Sequence, residues 1–196
     1  SDTEVILKGY HCWGIDVVNR FTRMFAIVIY DKQKQEVIFI RDRAGVKPLY
    51  YYWDNNLFLF GSELKALYQH PGFKKNIDIN SLSLFLQYSY IPGQYSIFKN
   101  THKLLPGHIL TVTLKTKQQH ISKYWDVFDF YNKPKIKLSD EEAIDQTDLL
   151  LKKAYEYRMV ADVPVGVFLS GGYDSSSVAA ILQTNRTEKL KTFTIG

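Results

Sequence analysis

The chain has 196 residues, of which 45% are hydrophobic and 15% aromatic, and its formal net charge is +5. That length and apolar content suit one or two packed domains and exclude a disordered chain. Cys12 is the single cysteine, which excludes an internal disulfide and fits a reducing, cytoplasmic setting. No apolar run approaches the roughly 20 residues of a membrane span, no signal-peptide pattern opens the chain, and no repeat is visible. The basic residues are spread along the sequence. Their densest sprinkling, Lys133, Lys135 and Lys137, reads as a solvated linker rather than a nucleic-acid patch.

Residues 3–13 predict a helix. Ile6, Gly9, Tyr10 and Trp13 share one face, Ser1 and Glu4 offer a capping box, and Gly14 supplies the stop. Cys12 lies on this helix beside His11 but lacks a His–Asp pattern, so a small apolar filler is the simpler reading than a nucleophile. His11, His70, His102, His108 and His120 show no metal-ligand spacing.

Strands follow. The apolar residues 24–30 and 36–41 flank the polar turn 31–35 as a hairpin. Gly45-Val46-Lys47-Pro48 then turns into residues 49–53, and Asp54-Asn55-Asn56 into residues 57–60. Strands joined by such short turns predict one antiparallel meander. The aromatic run from Tyr50 to Trp53 has two readings, nucleobase stacking and sheet core, and core is the commoner use. For Arg41-Asp42-Arg43 the default expectation is an ion pair. A short helix begins at Ser62, Asn80 offers a cap for another, and a last hairpin pairs residues 109–114 with 119–125.

Residues 126–138 mix charges with a proline and predict a linker. Ser139 and Glu142 then form a capping box for a long helix, along which Ala143, Thr147, Leu150, Leu151, Ala154, Tyr155 and Arg158 keep helical spacing. Next comes a nearly continuous apolar run, residues 163–169, with Pro164 at its start. It reads as a parallel strand buried on both faces. A loop, Ser170-Gly171-Gly172-Tyr173-Asp174-Ser175-Ser176-Ser177, leads into a buried helix from Val178 to Leu182. Residues 190–195 predict a second strand, which completes one βαβ unit and leaves the sheet unfinished at Gly196.

Such a loop suits a phosphate. Two glycines allow positive φ and close approach, and the helix start offers unpaired N–H groups with the positive end of its dipole. The hydroxyls of Ser170, Ser175, Ser176 and Ser177 add donors, while Asp174 would repel a bare phosphate and so fits a held Mg²⁺. The Walker A spacing and its lysine are absent, which points to chemistry at the far end of ATP with release of pyrophosphate. A plain Ser/Gly turn with an ordinary cap is the bland alternative, made less apt by the strand–loop–helix context.

Ser170-Gly171-Gly172-Tyr173-Asp174-Ser175-Ser176 resembles the S-G-G-x-D-S-S signature of ATP pyrophosphatases, and the run from Asp162 to Leu169 looks like its form in glutamine-hydrolysing asparagine synthetases. Five earlier stretches are similar to that family's glutaminase half, in the family's order. They are residues 1–7, Met24-Phe25-Ala26, residues 41–51, residues 62–67 and Leu105-Pro106-Gly107-His108. The resemblance implies an α+β N-terminal-nucleophile glutaminase part at residues 1–125, with antiparallel sheets between helix layers. It further implies a linker at 126–138 and the start of an α/β parallel-sheet ATP pyrophosphatase domain at 139–196. In the synthetase part, Ser170, Gly171, Gly172, Ser175 and Ser176 would cradle pyrophosphate, Asp174 would hold Mg²⁺, and the Leu169 backbone would lie near the adenosine. In the glutaminase part, Asp2 would grip the α-amino group of glutamine. Arg23 departs from the family pattern, where a glycine usually precedes the Met-Phe pair.

The implied activity is that of a glutamine-dependent asparagine synthetase. ATP adenylates the aspartate side chain, and ammonia from glutamine then yields asparagine, glutamate, AMP and pyrophosphate. Expected partners are glutamine, aspartate and ATP, with Mg²⁺ as cofactor, no nucleic acid and no membrane, and a homodimer as the assembly to test. The family's nucleophile is a cysteine at the mature N-terminus. Ser1 is not that residue and Cys12 has no free α-amine, so these residues read as a fragment without a catalytic nucleophile. Two alternatives stay open. One is a related amide-forming enzyme with another carboxylate acceptor, of the β-lactam synthetase or surface-sugar kind. The other is an inactive nucleotide-binding fragment.

Overall fold

The computed structural model describes residues 1–54, 57–184 and 186–195. It divides into two compact units, Ser1–Lys133 and Pro134–Gly196. The expected turn at Asn55 and Asn56 and the chain end at Gly196 lie outside the described residues.

In the first unit, α1 (Asp2–Trp13) runs into a 3₁₀ segment, Gly14–Arg20. The expected capping box at Ser1 is not made. Then come β1 (Ala26–Asp31), β2 (Glu36–Arg41), β3 (Tyr50–Asp54) and β4 (Leu57–Gly61). The next elements are α2 (Leu64–Leu67), α3 (Ile79–Tyr88), β5 (Thr101–Lys103), β6 (His108–Thr113), β7 (Gln118–Lys123) and α4 (Val127–Tyr131).

The strands do not form one meander. One sheet has the order β1-β2-β6-β7 and a second the order β4-β3-β5, all antiparallel. The reason lies in the side chains. β2 sends Val37 and Phe39 towards the second sheet, and Ile38 and Ile40 towards α1 and the 3₁₀ segment. β3 sends Tyr51 and Trp53 to the shared layer, and Tyr50 and Tyr52 to the layer under α2. Strands apolar on both faces need cover on both, and two stacked sheets between helical layers supply it. The aromatic run from Tyr50 to Trp53 is thus sheet core, with Tyr52 0% exposed.

The crossing from β2 to β3 explains the Arg41-Asp42-Arg43 cluster, which forms no ion pair among the described residues. Asp42 is buried and accepts from the backbone N–H of Val46 at 3.0 Å and Lys47 at 2.9 Å. Arg41 donates to the carbonyls of Lys47 (2.9 Å), Leu104 (2.6 Å) and Gly45 (2.7 Å). Arg43 donates to the Phe21 carbonyl and, at 3.3 Å, to that of Asn19. Charge here satisfies loop backbone that would otherwise be buried unpaired. Two caps also differ from expectation. Asp78, not Asn80, caps α3, accepting from Ser81 N at 2.8 Å. Within the expected linker, Asp126 caps the short α4 by accepting from Phe128 N at 3.0 Å.

The second unit contains α5 (Asp140–Arg158), β8 (Gly166–Phe168), α6 (Tyr173–Thr184) and β9 (Lys191–Phe193). Its capping box is fully formed, with Glu142 N donating to Ser139 Oγ at 3.2 Å and Ser139 N donating to Glu142 Oε2 at 2.8 Å. β8 and β9 pair in parallel across α6. The strand is shorter than residues 163–169 and is not buried on both faces: Val163 is 69% exposed and Phe168 76%. α6 likewise buries Leu182 alone among its described residues. No helix among the described residues is long and apolar enough to cross a membrane.

Candidate active site

The phosphate-type loop joins β8 to α6. Its base is tied to β9: Leu169 N donates to Phe193 O at 2.8 Å, and Thr194 Oγ1 donates to Leu169 O at 2.8 Å. Gly166 lets Phe193 lie close, because a β-carbon there would run into the Phe193 ring. The chain then lifts at Gly171, whose φ of 82° falls in the left-handed region that glycine enters without strain. A β-carbon at Gly171 would meet nothing within 4 Å, so open space lies over this backbone.

Ser175 braces the loop from inside the helix. The Ser170 N–H donates to its Oγ at 3.2 Å, the two hydroxyl oxygens are 3.0 Å apart, and Ser175 Oγ donates to Gly172 O at 3.3 Å. Gly172 N reaches Ser170 Oγ at 3.5 Å, and Ser176 N donates to Gly172 O at 3.1 Å as the first helical bond. The amides of Tyr173, Asp174 and Ser175 therefore head α6, at the positive end of its dipole. Asp174 is exposed in that first turn. Leu169, Ser170, Gly171, Gly172, Asp174, Ser175 and Ser176 thus all fall within one strand–loop–helix corner. Thr194 and Phe193, which fix the loop's base, carry no sequence signal beyond a strand end.

Open space over Gly171 and the amides that head α6 fit a polyphosphate. A metal is a separate matter, because no group of three or more His, Cys, Asp or Glu among the described residues is arranged to hold an ion. Asp174 as a single carboxylate fits Mg²⁺ of the kind that phosphates and water mostly ligate.

The other candidate, Asp2, sits in the exposed first turn of α1 in the first unit. The helix packs through Ile6 and Tyr10 onto Ile29, Ile38 and Ile40. Arg23 is exposed in the segment ahead of β1. Cys12 is exposed on α1, so it fills no core.

Two family models match the chain: a glutamine amidotransferase domain over residues 1–125 and an asparagine synthase over residues 146–196. A putative glutamine-hydrolyzing asparagine synthetase 2 of Methanocaldococcus jannaschii is 42% identical over 202 residues, covering 100% of this chain and 38% of that protein. Glutamine-hydrolyzing asparagine synthetase 3 of Bacillus subtilis is 38% identical over 183 residues, covering 92% of this chain and 29% of that protein. Amidase chry2 of Gibberella zeae is 32% identical over 183 residues, 93% of this chain and 26% of that protein. The chain thus spans between 26% and 38% of the length of these curated relatives. It belongs to the glutamine-hydrolysing asparagine synthetase family, residues 1–125 matching the glutamine amidotransferase part and residues 146–196 the asparagine synthase part.

Proposed function

We propose that these residues serve a glutamine-dependent, ATP-consuming carbon–nitrogen ligase that makes asparagine from aspartate. A carboxylate oxygen of the aspartate side chain attacks the α-phosphorus of ATP, and the bond to the β-phosphate oxygen breaks to release pyrophosphate. Ammonia freed from glutamine then attacks the activated carbonyl, AMP leaves with the C–O bond electrons, and a proton is lost. The carrying observation is the Ser170–Ser176 corner, with Gly171 open above and the α6 amides in front. In this reading Ser170, Gly171, Gly172, Ser175 and Ser176 hold the leaving pyrophosphate, and the Leu169 backbone lies by the adenosine. Fixed amide dipoles act where charge builds up. Asp174 holds Mg²⁺, which when bound supplies charge neutralisation beside the phosphates.

Residues 1–125 then form the glutaminase part, 126–138 the linker and 139–196 the start of the synthetase part, a division supported by the two family matches and the two compact units. Asp2 grips the α-amino group of glutamine. A cytoplasmic setting accords with a lone, exposed cysteine.

Asp174→Ala tests the assignment. Pyrophosphate release is abolished while glutamine hydrolysis persists; equal loss of both, or of neither, sinks it. A second reading has another carboxylate acceptor, and it accords with a relative whose name, Amidase chry2, does not specify asparagine synthesis. Pyrophosphate release against a panel of carboxylates separates the two, since aspartate leads the panel only in the first.

A further inference from the structure

α1 is held differently along its length. Its first turn, with Ser1, Asp2 and Glu4, is exposed and has no side-chain cap. Its second half is fastened. Tyr10 Oη donates to Asp31 Oδ2 at 2.9 Å, at the end of β1. The other oxygen of that carboxylate accepts from Gln33 N at 3.0 Å and Lys34 N at 2.9 Å, closing the β1–β2 turn. One carboxylate therefore shapes the hairpin and receives the helix. Gly9 adds a close contact, since a β-carbon there would lie 2.7 Å from Val17 Cγ2 in the 3₁₀ segment. Burial and the bond to Asp31 push the Tyr10 phenol up to about 12, so it remains a donor across the working pH range.

We propose that Tyr10 and Asp31 form a positioning latch that sets the place of Asp2 on α1 and hence the affinity for glutamine. This rests on the role of Asp2 given above. Asp2 lies about 12 Å along the helix from Tyr10, at 1.5 Å per residue, and a helix of this length transmits a slide or rotation as a rigid body. Small misplacement of a binding group is costly because recognition of an ammonium by a carboxylate depends on geometry. Tyr10 touches no substrate and acts through Asp2.

The test is steady-state kinetics on the protein with glutamine and, separately, with ammonia as nitrogen source. Tyr10→Phe, which keeps the ring and its packing, is expected to raise KM for glutamine about 3- to 10-fold, the effect of one lost hydrogen bond, with kcat unchanged. Ammonia-driven synthesis in Tyr10→Phe matches wild type. Asp2→Ala raises KM further, and the double variant is no worse than Asp2→Ala alone, because the latch works through that side chain. A raised KM in Asp2→Ala beside a wild-type KM in Tyr10→Phe overturns the latch and leaves the Asp2 role standing. A wild-type KM in Asp2→Ala overturns that role and the latch with it. Equal loss of kcat on both nitrogen sources in Tyr10→Phe marks a general structural defect and also overturns the latch.

Discussion

Charged and polar side chains in the first unit act mainly on backbone. Arg41 and Asp42 between them satisfy the carbonyls of Gly45, Lys47 and Leu104 and the N–H groups of Val46 and Lys47. Gly107 shows the same economy of space: its φ is +68°, and a β-carbon would run into the Trp125 carbonyl oxygen. His102 is the residue with a pH consequence. It lies opposite Tyr51 on β5, ring centroids 5.3 Å apart, and burial lowers its pKa below the ordinary 6.5, with Asp78 pulling weakly the other way. The folded state thus disfavours the imidazolium, and the unfolded chain binds the proton more readily. Stability from this group is full above about pH 6.5 and falls as the pH drops below that value towards the folded pKa. Urea midpoints measured at pH 7.5 and 5.5 should fall towards acid in the wild type and fall less in His102→Gln. An identical acid loss in both proteins would remove His102 as the cause.

At the scale of elements, local signals fixed ends better than partners. Ser139 and Glu142 predict a capping box and form one. Ser1 and Glu4 carry the same pattern and form none. The α5 box matters because that helix buries no residue completely and so draws little from packing. Ser139→Ala should therefore cost about 1 kcal/mol, read as a lower midpoint in denaturation followed by the helical circular-dichroism signal. An unchanged midpoint would mean that the first turn is frayed and contributes nothing. The βαβ unit is similar in kind. Its parallel pair, Gly166 with Lys191 and Phe168 with Phe193, follows from two short apolar runs separated by a helix, a connection too long for a hairpin.

Across the molecule, burial is uneven. Among the described residues, the fully buried side chains of the first unit include Phe39, Ile40, Tyr52, Leu104 and Leu110, whereas the second unit buries one hydrophobic residue, Leu182. Amide exchange should accordingly be slowest in β2 and β6, paired from Glu36 with Thr113 to Ile40 with Ile109, and fast in β8 and β9. Mass-spectrometric exchange would check this, and equal protection in both pairs of strands would refute it. The sequence by itself determined the features whose causes are local: the Ser170–Ser176 loop between strand and helix, the Ser139 capping box of α5, and the β1–β2, β3–β4 and β6–β7 hairpins. It also held the residue patterns by which the family is known. Tertiary structure alone decided which strands share a sheet, since β2 meets β6 and β3 meets β5 far along the chain. It decided that Arg41 and Asp42 serve backbone, that Ser175 and Thr194 brace the loop, and that Tyr10 fastens α1 to Asp31. The physical reason is range: periodicity and capping act over a few residues, whereas covering both faces of an apolar strand is settled by segments that only the fold brings together.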